Sequence, residues 1–395
     1  MTMQKMIVSE FGWDERYRVA QEEVILTPAL IVYPEIIASN IQAMLRLLDG
    51  DGDRWRVHTK TAKLGCTLRM LTESGVRNFK CATTRELLVA CGSGAEDVLV
   101  AYPLVGANAR RVREIAEQFP EVRISVLAEN AEQVRQWAES RVGVFLDINP
   151  GMNRTGIEQE RKEEVLRLVG TAREARAEFR GLHYYDGQYG GLGEPERTAA
   201  AQAGYHHLLE ILNELERAQV HVPEVITAGT PTLESSLAFQ AFRGRRFVHR
   251  VSPGTVVYGD ATSLAQLPPQ WGLRPAVLVL ARVVSNPCAG KITCDAGHKA
   301  VSADAGVPTC VVVGHPELTP LSPSEEHLPM TVRDGAAEPQ VGEMVYLLPR
   351  HVCPTVNNFD CALAVRDGSV ESVEPVSARG REEPLLKSFE AAGRD

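Results

Sequence analysis

Residues 97–148, DVLVAYPLVGANARRVREIAEQFPEVRISVLAENAEQVRQWAESRVGVFLDI, decide how the chain folds. Three apolar runs of strand length stand in this stretch: Asp97–Ala101, Arg123–Leu127 and Gly143–Ile148. Between them, Ala107–Gln118 (ANARRVREIAEQ) and Ala131–Ala138 place their apolar residues at helical spacing. Strands separated by a helix's worth of chain pair in parallel, because the crossover needs that length.

The alternation continues outward in both directions. Trp55–Thr59 and Asn78–Ala82 precede the stretch, and Arg180–Tyr185, Glu224–Thr227 and Phe247–Val251 follow it. A long helical pattern, Glu194–Ala218, sets Leu208, Leu209, Ile211, Leu212 and Leu215 on one face. Eight strand-helix units are the count that closes a (β/α)8 TIM barrel, so the fold class is α/β. Residues 34–265 are assigned to this barrel.

The remainder has a different texture. Over 270–375, Val- and Leu-rich runs (Ala276–Val284, Cys310–Val313, Glu343–Leu347, Ala362–Val365) are separated by Pro, Gly and Asp and show almost no helical periodicity. An antiparallel β-domain is expected over residues 266–380, with 1–33 joining it because PALIVY (28–33) reads as a strand that pairs with the C-terminal ones. Residues 381–395 form a tail, and the chain beyond Val376 is expected to fray. No internal repeat is present.

The 395 residues carry 42 Lys plus Arg against 51 Asp plus Glu, a formal charge of −9 that argues against binding nucleic acid through phosphate neutralisation. The N-terminal MTMQKMIVSEFGWDERYRVAQEEV lacks the apolar core of a secretory signal, and no stretch is long and apolar enough to span a membrane. A soluble, cytoplasmic protein working on a small molecule is expected. The eight cysteines (66, 81, 91, 288, 294, 310, 353 and 361) form no CxxC pair and read as reduced thiols.

Barrels of this kind build their sites from the loops after each strand. Those positions hold Lys60, Thr83 and Thr84, Tyr102, Glu129, GMNRTG (151–156), Asp186 to Gly191, Ala228 to Thr230 and Ser252 to Thr255. Lys60 lies in RVHTKTAK (56–63), where burial and the nearby cations His58 and Lys63 would lower its pKa and free its amine for a Schiff base; a solvated strand-end lysine is the plain alternative. The Gly-Thr steps AGT (228–230) and PGT (253–255), at adjacent strand ends, favour a phosphate-bearing ligand, whereas either alone is an ordinary turn. GQYGGLG (187–193) lacks both GxGxxG spacing and a βαβ setting and is discounted. In His351-Val352-Cys353-Pro354, an extended strand would point His351 and Cys353 to one face, a borderline-soft pair suited to Zn2+; a buried structural pair is the alternative. His206 and His207 read as surface or packing residues, while His183 and His249, near strand ends, stay open.

At these residues the chain resembles a known family, the fold-type III pyridoxal-phosphate enzymes with an alanine-racemase-like barrel, in the D-serine dehydratase and D-threonine aldolase group. The resemblance spans about residues 25 to 365 and rests on TPAL (27–30), RVHTKTAK against the group's RPHxKTHK, AYPLVG (101–106), GMNRTG, Gly-Thr-Pro (229–231), SPGTVVYGD (252–260), DAGHKAVSAD (295–304) and HVCPTVN (351–357). It implies that Lys60 carries pyridoxal 5'-phosphate, that Gly229, Thr230, Gly254 and Thr255 hold its phosphate, and that Arg154, Tyr185 and Gln188 lie around its ring. It implies a divalent metal on His351 and Cys353, Zn2+ before Mn2+ or Mg2+. Val57 and Ala62 depart from the motif, and Ala62 removes a polar group beside Lys60.

The activity implied is a lyase that removes water from a D-3-hydroxy amino acid such as D-serine or D-threo-3-hydroxyaspartate. A retro-aldol cleavage to glycine and an aldehyde is the alternative; relatives of that kind tend to present a carboxylate at the second metal ligand, where this chain has a thiol. A racemase and a non-catalytic cofactor carrier rank lower. A homodimer is implied as well.

Overall fold

The computed structural model describes residues 14–385. They form two compact units: one comprises Leu48–Lys60, Leu71–Gly254 and the chain from Gly380, the other the described chain up to Leu47, Thr61–Met70 and Thr255–Arg379. The first 13 residues and the last 10 lie outside the described chain, and with them the ends of the expected β-domain and tail.

In the first unit all eight expected runs are strands: Arg56–His58, Asn78–Cys81, Asp97–Pro103, Arg123–Ala128, Gly143–Asn149, Phe179–Tyr184, Glu224–Thr227 and Val248–Val251. They pair in parallel and in chain order, and a parallel bridge from Trp55 to Val251 joins the last strand to the first. The barrel is therefore nearly closed. Its longest helix, Glu196–Arg217, buries Leu208, Leu209, Ile211, Leu212 and Leu215, the stripe expected from the sequence.

Inward-facing side chains fill the barrel in layers. Near the strand starts lies a charged layer. Arg56, fully buried, donates to both oxygens of Glu224 at 2.7 and 2.8 Å and to Asp97 Oδ1 at 2.8 Å. Arg180 pairs with Asp97 and Arg250 with Glu224. Gly143 is required beside it, because a Cβ there would lie 2.5 Å from Arg180 Cγ. The guanidiniums of Arg56 and Arg180 each stand 5.7 Å from the ring of Phe145. Phe145 belongs to the apolar layer above, with Leu99, Leu127 and Ile226. The next polar layer is the one that bears the candidate chemistry.

The second unit is built on a curled sheet. Ala29–Val32 pairs antiparallel with Val277–Cys288, Ala29 facing Leu280, so the early strand does join the C-terminal ones. It also pairs in parallel with Cys361–Arg366, Ile31 facing Leu363. The sheet is thus mixed rather than wholly antiparallel, because the long chain between these two strands lets both enter in one direction. Four short strands escaped the sequence reading: Lys291–Cys294, Leu318–Pro320, Leu328–Val332 and Ser369–Pro375. Each is brief or alternates polar with apolar residues, which leaves no apolar run to notice.

Two local expectations are corrected. His351-Val352-Cys353 is not an extended strand: His351 is the N-cap residue of a helix, Val352–Asn357. Pro354 sits in the first turn, where its missing N–H costs nothing, and Asp260 Oδ2 accepts from the Val352 N–H at 3.0 Å. The chain beyond Val376 does not fray at once, since Val376 and Ala378 are buried and Arg111 holds the Glu382 carboxylate at 2.8 Å. All eight cysteines are free thiols. Among the described residues no helix is long and apolar enough to cross a membrane.

Candidate active site

Lys60 leaves the end of the first barrel strand, its backbone N–H donating to His58 Nδ1 at 3.3 Å. Its ammonium stands 5.9 Å from the centre of the Tyr185 ring, that of Lys80 5.4 Å, and the Arg154 guanidinium 5.2 Å. Three cations, one at a strand end, one inside a strand and one in a loop, therefore share one aromatic ring. Lys63, expected to be a cationic neighbour of Lys60, instead donates to Ala378 O at 3.1 Å. Lys80 takes the neighbouring place.

Arg154 is delivered by a tightly tied loop. Asn149 Oδ1 accepts from the N–H groups of Gly151 and Asn153, each at 3.0 Å, and Thr155 Oγ1 donates to Asp147 Oδ2 at 2.8 Å. Gly156 is needed there at φ +100°, since a Cβ would meet Asn149 N at 2.8 Å. Gln188 Nε2 donates to Pro150 O at 3.0 Å, while its Oε1 is buried and has no hydrogen-bond partner. A buried acceptor left unpaired at a strand end is what a ligand donor would satisfy.

The two Gly-Thr steps follow neighbouring strands, with Thr227 in register with Val251 and the Ser252 N–H donating to Thr227 O at 3.1 Å. A Cβ on Gly229 would lie 3.1 Å from the Tyr185 ring, so the glycine leaves a cradle open beside the three cations. The Gly229 N–H itself is spent on Asp186, a buried carboxyl that desolvation pushes up while Thr232, Tyr205 and Gly229 hold it back. Pro253 O is braced by Trp55 Nε1 at 2.9 Å, which fixes the backbone into Gly254 and Thr255. Concentrated positive charge, an open glycine step and an orphaned amide oxygen fit a phosphate-bearing cofactor that ends on an amine.

Lys80 and Asp147, inside the strands, are missed by a reading confined to strand ends, whereas it leaves His183 open. Asp147 Oδ1 lies 2.7 Å from His183 Nδ1, and His183 Nε2 lies 3.5 Å from Lys80 Nζ. Burial holds His183 below its ordinary pKa despite Asp147. Desolvation, joined by the charge of Lys60, draws Lys80 down to about 7. The available signal was a charged residue amid an apolar run, as in NFKC and GVFLDIN.

In the second unit, His351 Nδ1 meets Asp304 Oδ2 at 2.6 Å, and Cys353 Sγ lies 3.0 Å from Oγ1 of Thr61, the residue after Lys60. Thr255 Oγ1 is 3.9 Å from the same sulfur. Burial opposes the imidazolium, but Cys353 and Asp304 outweigh it and hold His351 up at about 9. An imidazole oriented by a carboxylate, with a thiol beside it, suits Zn2+. Among the described residues no group of three His, Cys, Asp or Glu side chains is placed to hold an ion.

Residues 33–262 match the family model "Alanine racemase, N-terminal domain", and residues 276–365 match the "Putative serine dehydratase domain". The chain belongs to the alanine racemase N-terminal domain family. Within it, the protein is a fold-type III pyridoxal-phosphate enzyme of the D-threonine aldolase and D-serine dehydratase group, a lyase. It is 27% identical to the D-threonine aldolase of Arthrobacter sp over 366 residues, 90% of this chain and 93% of that one. To the D-threo-3-hydroxyaspartate dehydratase of Delftia sp. (strain HT23) it is 24% identical over 374 residues, 88% of this chain and 96% of the other. The crystal structure of D-threonine aldolase from Filomicrobium marinum superposes with a TM-score of 0.82 at 27% identity, covering 92% of this chain and 98% of that one.

Proposed function

We propose that the protein eliminates water from a D-3-hydroxy amino acid, D-serine or D-threo-3-hydroxyaspartate, to give a 2-oxo acid and ammonia. Lys60 would hold pyridoxal phosphate, with Arg154, Tyr185 and Gln188 around its ring and Gly229, Thr230, Gly254 and Thr255 at its phosphate. His351 and Cys353 would hold a divalent metal, Zn2+ ahead of Mn2+ or Mg2+. The observation that carries the reading is the thiol: Cys353 stands beside an imidazole already oriented by Asp304.

When bound, the cofactor supplies an electron sink for the pair left at Cα, and the metal a Lewis acid for the β-hydroxyl. Lys60 Nζ takes the Cα proton. Arg154 and Tyr185 would pack around the cofactor's ring, and the tied loop 149–156 keeps Arg154 in place. Asp304 holds His351 at Nδ1, which leaves Nε2 as the imidazole's metal-binding atom. Water departs with the β-hydroxyl oxygen, and the released enamine hydrolyses to the 2-oxo acid and ammonia.

The second reading is retro-aldol cleavage to glycine and an aldehyde, favoured by the higher identity to the aldolase than to the dehydratase. A cytoplasmic homodimer belongs to the proposal; eight free thiols suit a reducing compartment. Incubation with D-serine, D-threonine and D-3-hydroxyaspartate decides the reaction. A 2-oxo acid with ammonia supports elimination, glycine with an aldehyde supports cleavage, and the L-isomer or no product would overturn both.

A further inference from the structure

Cys353 carries its sulfur on a backbone that is fixed from several directions. Asp260 Oδ2 accepts from the Val352 N–H at 3.0 Å, Thr355 Oγ1 donates to His351 O at 2.9 Å, and the Ser302 N–H donates to that hydroxyl at 3.2 Å. The sulfur itself meets the segment that follows Lys60. Thr61 Oγ1 lies 3.0 Å from Cys353 Sγ, and both residues are buried. Thr61 is held in turn, because two residues on, Lys63 and Ala378 exchange a pair of hydrogen bonds: Lys63 Nζ to Ala378 O at 3.1 Å, and the Ala378 N–H to Lys63 O at 3.0 Å. Residue 62 is a buried alanine, so of positions 61 and 62 only the threonine offers a polar side-chain atom. Thr255 Oγ1 stands 3.9 Å from the same sulfur, at the outer limit of such a contact, and is the hydroxyl assigned above to the phosphate.

This inference rests on the reading of His351 and Cys353 as a metal-binding pair. We propose that Thr61 is a positioning residue for the metal: its hydroxyl donates to the Cys353 sulfur and fixes the rotation of the thiolate that ligates the ion. A cysteine on a metal is a thiolate and has no hydrogen to give, so in the loaded protein the threonine is the donor. A hydroxyl bonded to a buried thiolate also offsets part of the cost of taking that charge out of water. Asp304 serves His351 in the same way, so each ligand has an outer partner from another part of the chain. Thr61 directly follows Lys60, which makes the sulfur's partner and the cofactor-bearing amine consecutive in sequence.

The test is equilibrium dialysis of chelator-stripped, pyridoxal-phosphate-loaded protein against Zn2+. Thr61→Val keeps the shape of the side chain, removes the hydroxyl and should weaken zinc binding by about tenfold. Thr61→Ser keeps the hydroxyl and should bind close to wild type. A valine variant that binds like wild type, or a serine variant as weak as the valine, overturns the proposal. A second readout is the thiolate-to-metal absorption of the Cd2+-loaded protein, taken as a difference from the metal-free form. A hydrogen bond lowers the energy of the sulfur lone pair, so its loss in Thr61→Val should move the band to longer wavelength, while Thr61→Ser leaves it in place; an unmoved band in the valine variant overturns the proposal. Should Thr61→Val misfold, Thr61→Ala removes the same hydroxyl and is read in the same way. Wild-type protein that takes up no zinc, or a Cys353→Ala variant that binds it as tightly as wild type, would sink the reading of the metal pair itself, whereas normal wild-type binding with an unchanged Thr61→Val removes only the role of Thr61.

Discussion

Asp304 and His351, 47 residues apart, meet at 2.6 Å through a carboxylate oxygen and Nδ1. A ligating imidazole is commonly held this way at the nitrogen that does not touch the metal, and loss of the outer partner weakens metal binding by about 10–100-fold. Asp304→Asn should show that loss in a zinc titration, with activity restored by excess metal. Unchanged affinity would mean that Asp304 serves only the local fold.

Chelation should abolish product formation, and Zn2+ or Mn2+ should restore it. Full activity in metal-free protein would contradict the roles given to His351 and Cys353. Cys353→Asp, which exchanges the thiol for a carboxylate, should raise the share of glycine and aldehyde among the products, measured on D-threonine.

The charged layer of the barrel makes a stability test. Glu224 accepts from Arg56 at 2.7 and 2.8 Å and is also paired with Arg250. Glu224→Ala leaves two buried guanidiniums short of a partner and should cost about 3–5 kcal/mol in denaturant unfolding. Glu96→Ala, which breaks the solvent-exposed pair with Arg77, should cost under about 1 kcal/mol.

Acid should destabilise the fold in two stages. Burial, with Arg54 nearby, draws His249 down to about 3. Burial raises Asp97, but Arg56 and Arg180 outweigh it and hold the carboxyl well below the usual range. Both groups lie lower in the folded chain than in the unfolded one, so each stabilises above its unfolded pKa and loses that contribution as pH falls. His249 should cost about 1–2 kcal/mol between pH 7 and 5, and Asp97 should act only below about pH 4. Unfolding of His249→Gln should be flatter over the first interval; a curve parallel to wild type would contradict this origin.

The barrel was legible because most strands contain a compact apolar run and the longer crossovers carry a periodic helix. The placement of Lys60 and the Gly-Thr steps after barrel strands was legible because they follow such runs. Lys80 and Asp147 were not, and the role of His183 stayed open, since a strand's inward face hides a charge among apolar neighbours until the ring of strands brings the three together. The charged layer leaves a trace in the sequence: Arg56, Asp97, Arg180 and Glu224 each stand near a strand's start and Arg250 within the last strand, with both signs represented. The backbone expected at His351 and Cys353 was mistaken, because a proline after an apolar run closes a strand or opens a helix equally well, and only the bond from Val352 to Asp260 decides between them.

The central claim is that Lys60, and no other amine, bears the cofactor. Protein loaded with pyridoxal phosphate, reduced with borohydride and digested, should yield one modified peptide, with the added mass on Lys60. Modification of Lys80 instead, or no modified peptide from a protein that stays colourless, would contradict it.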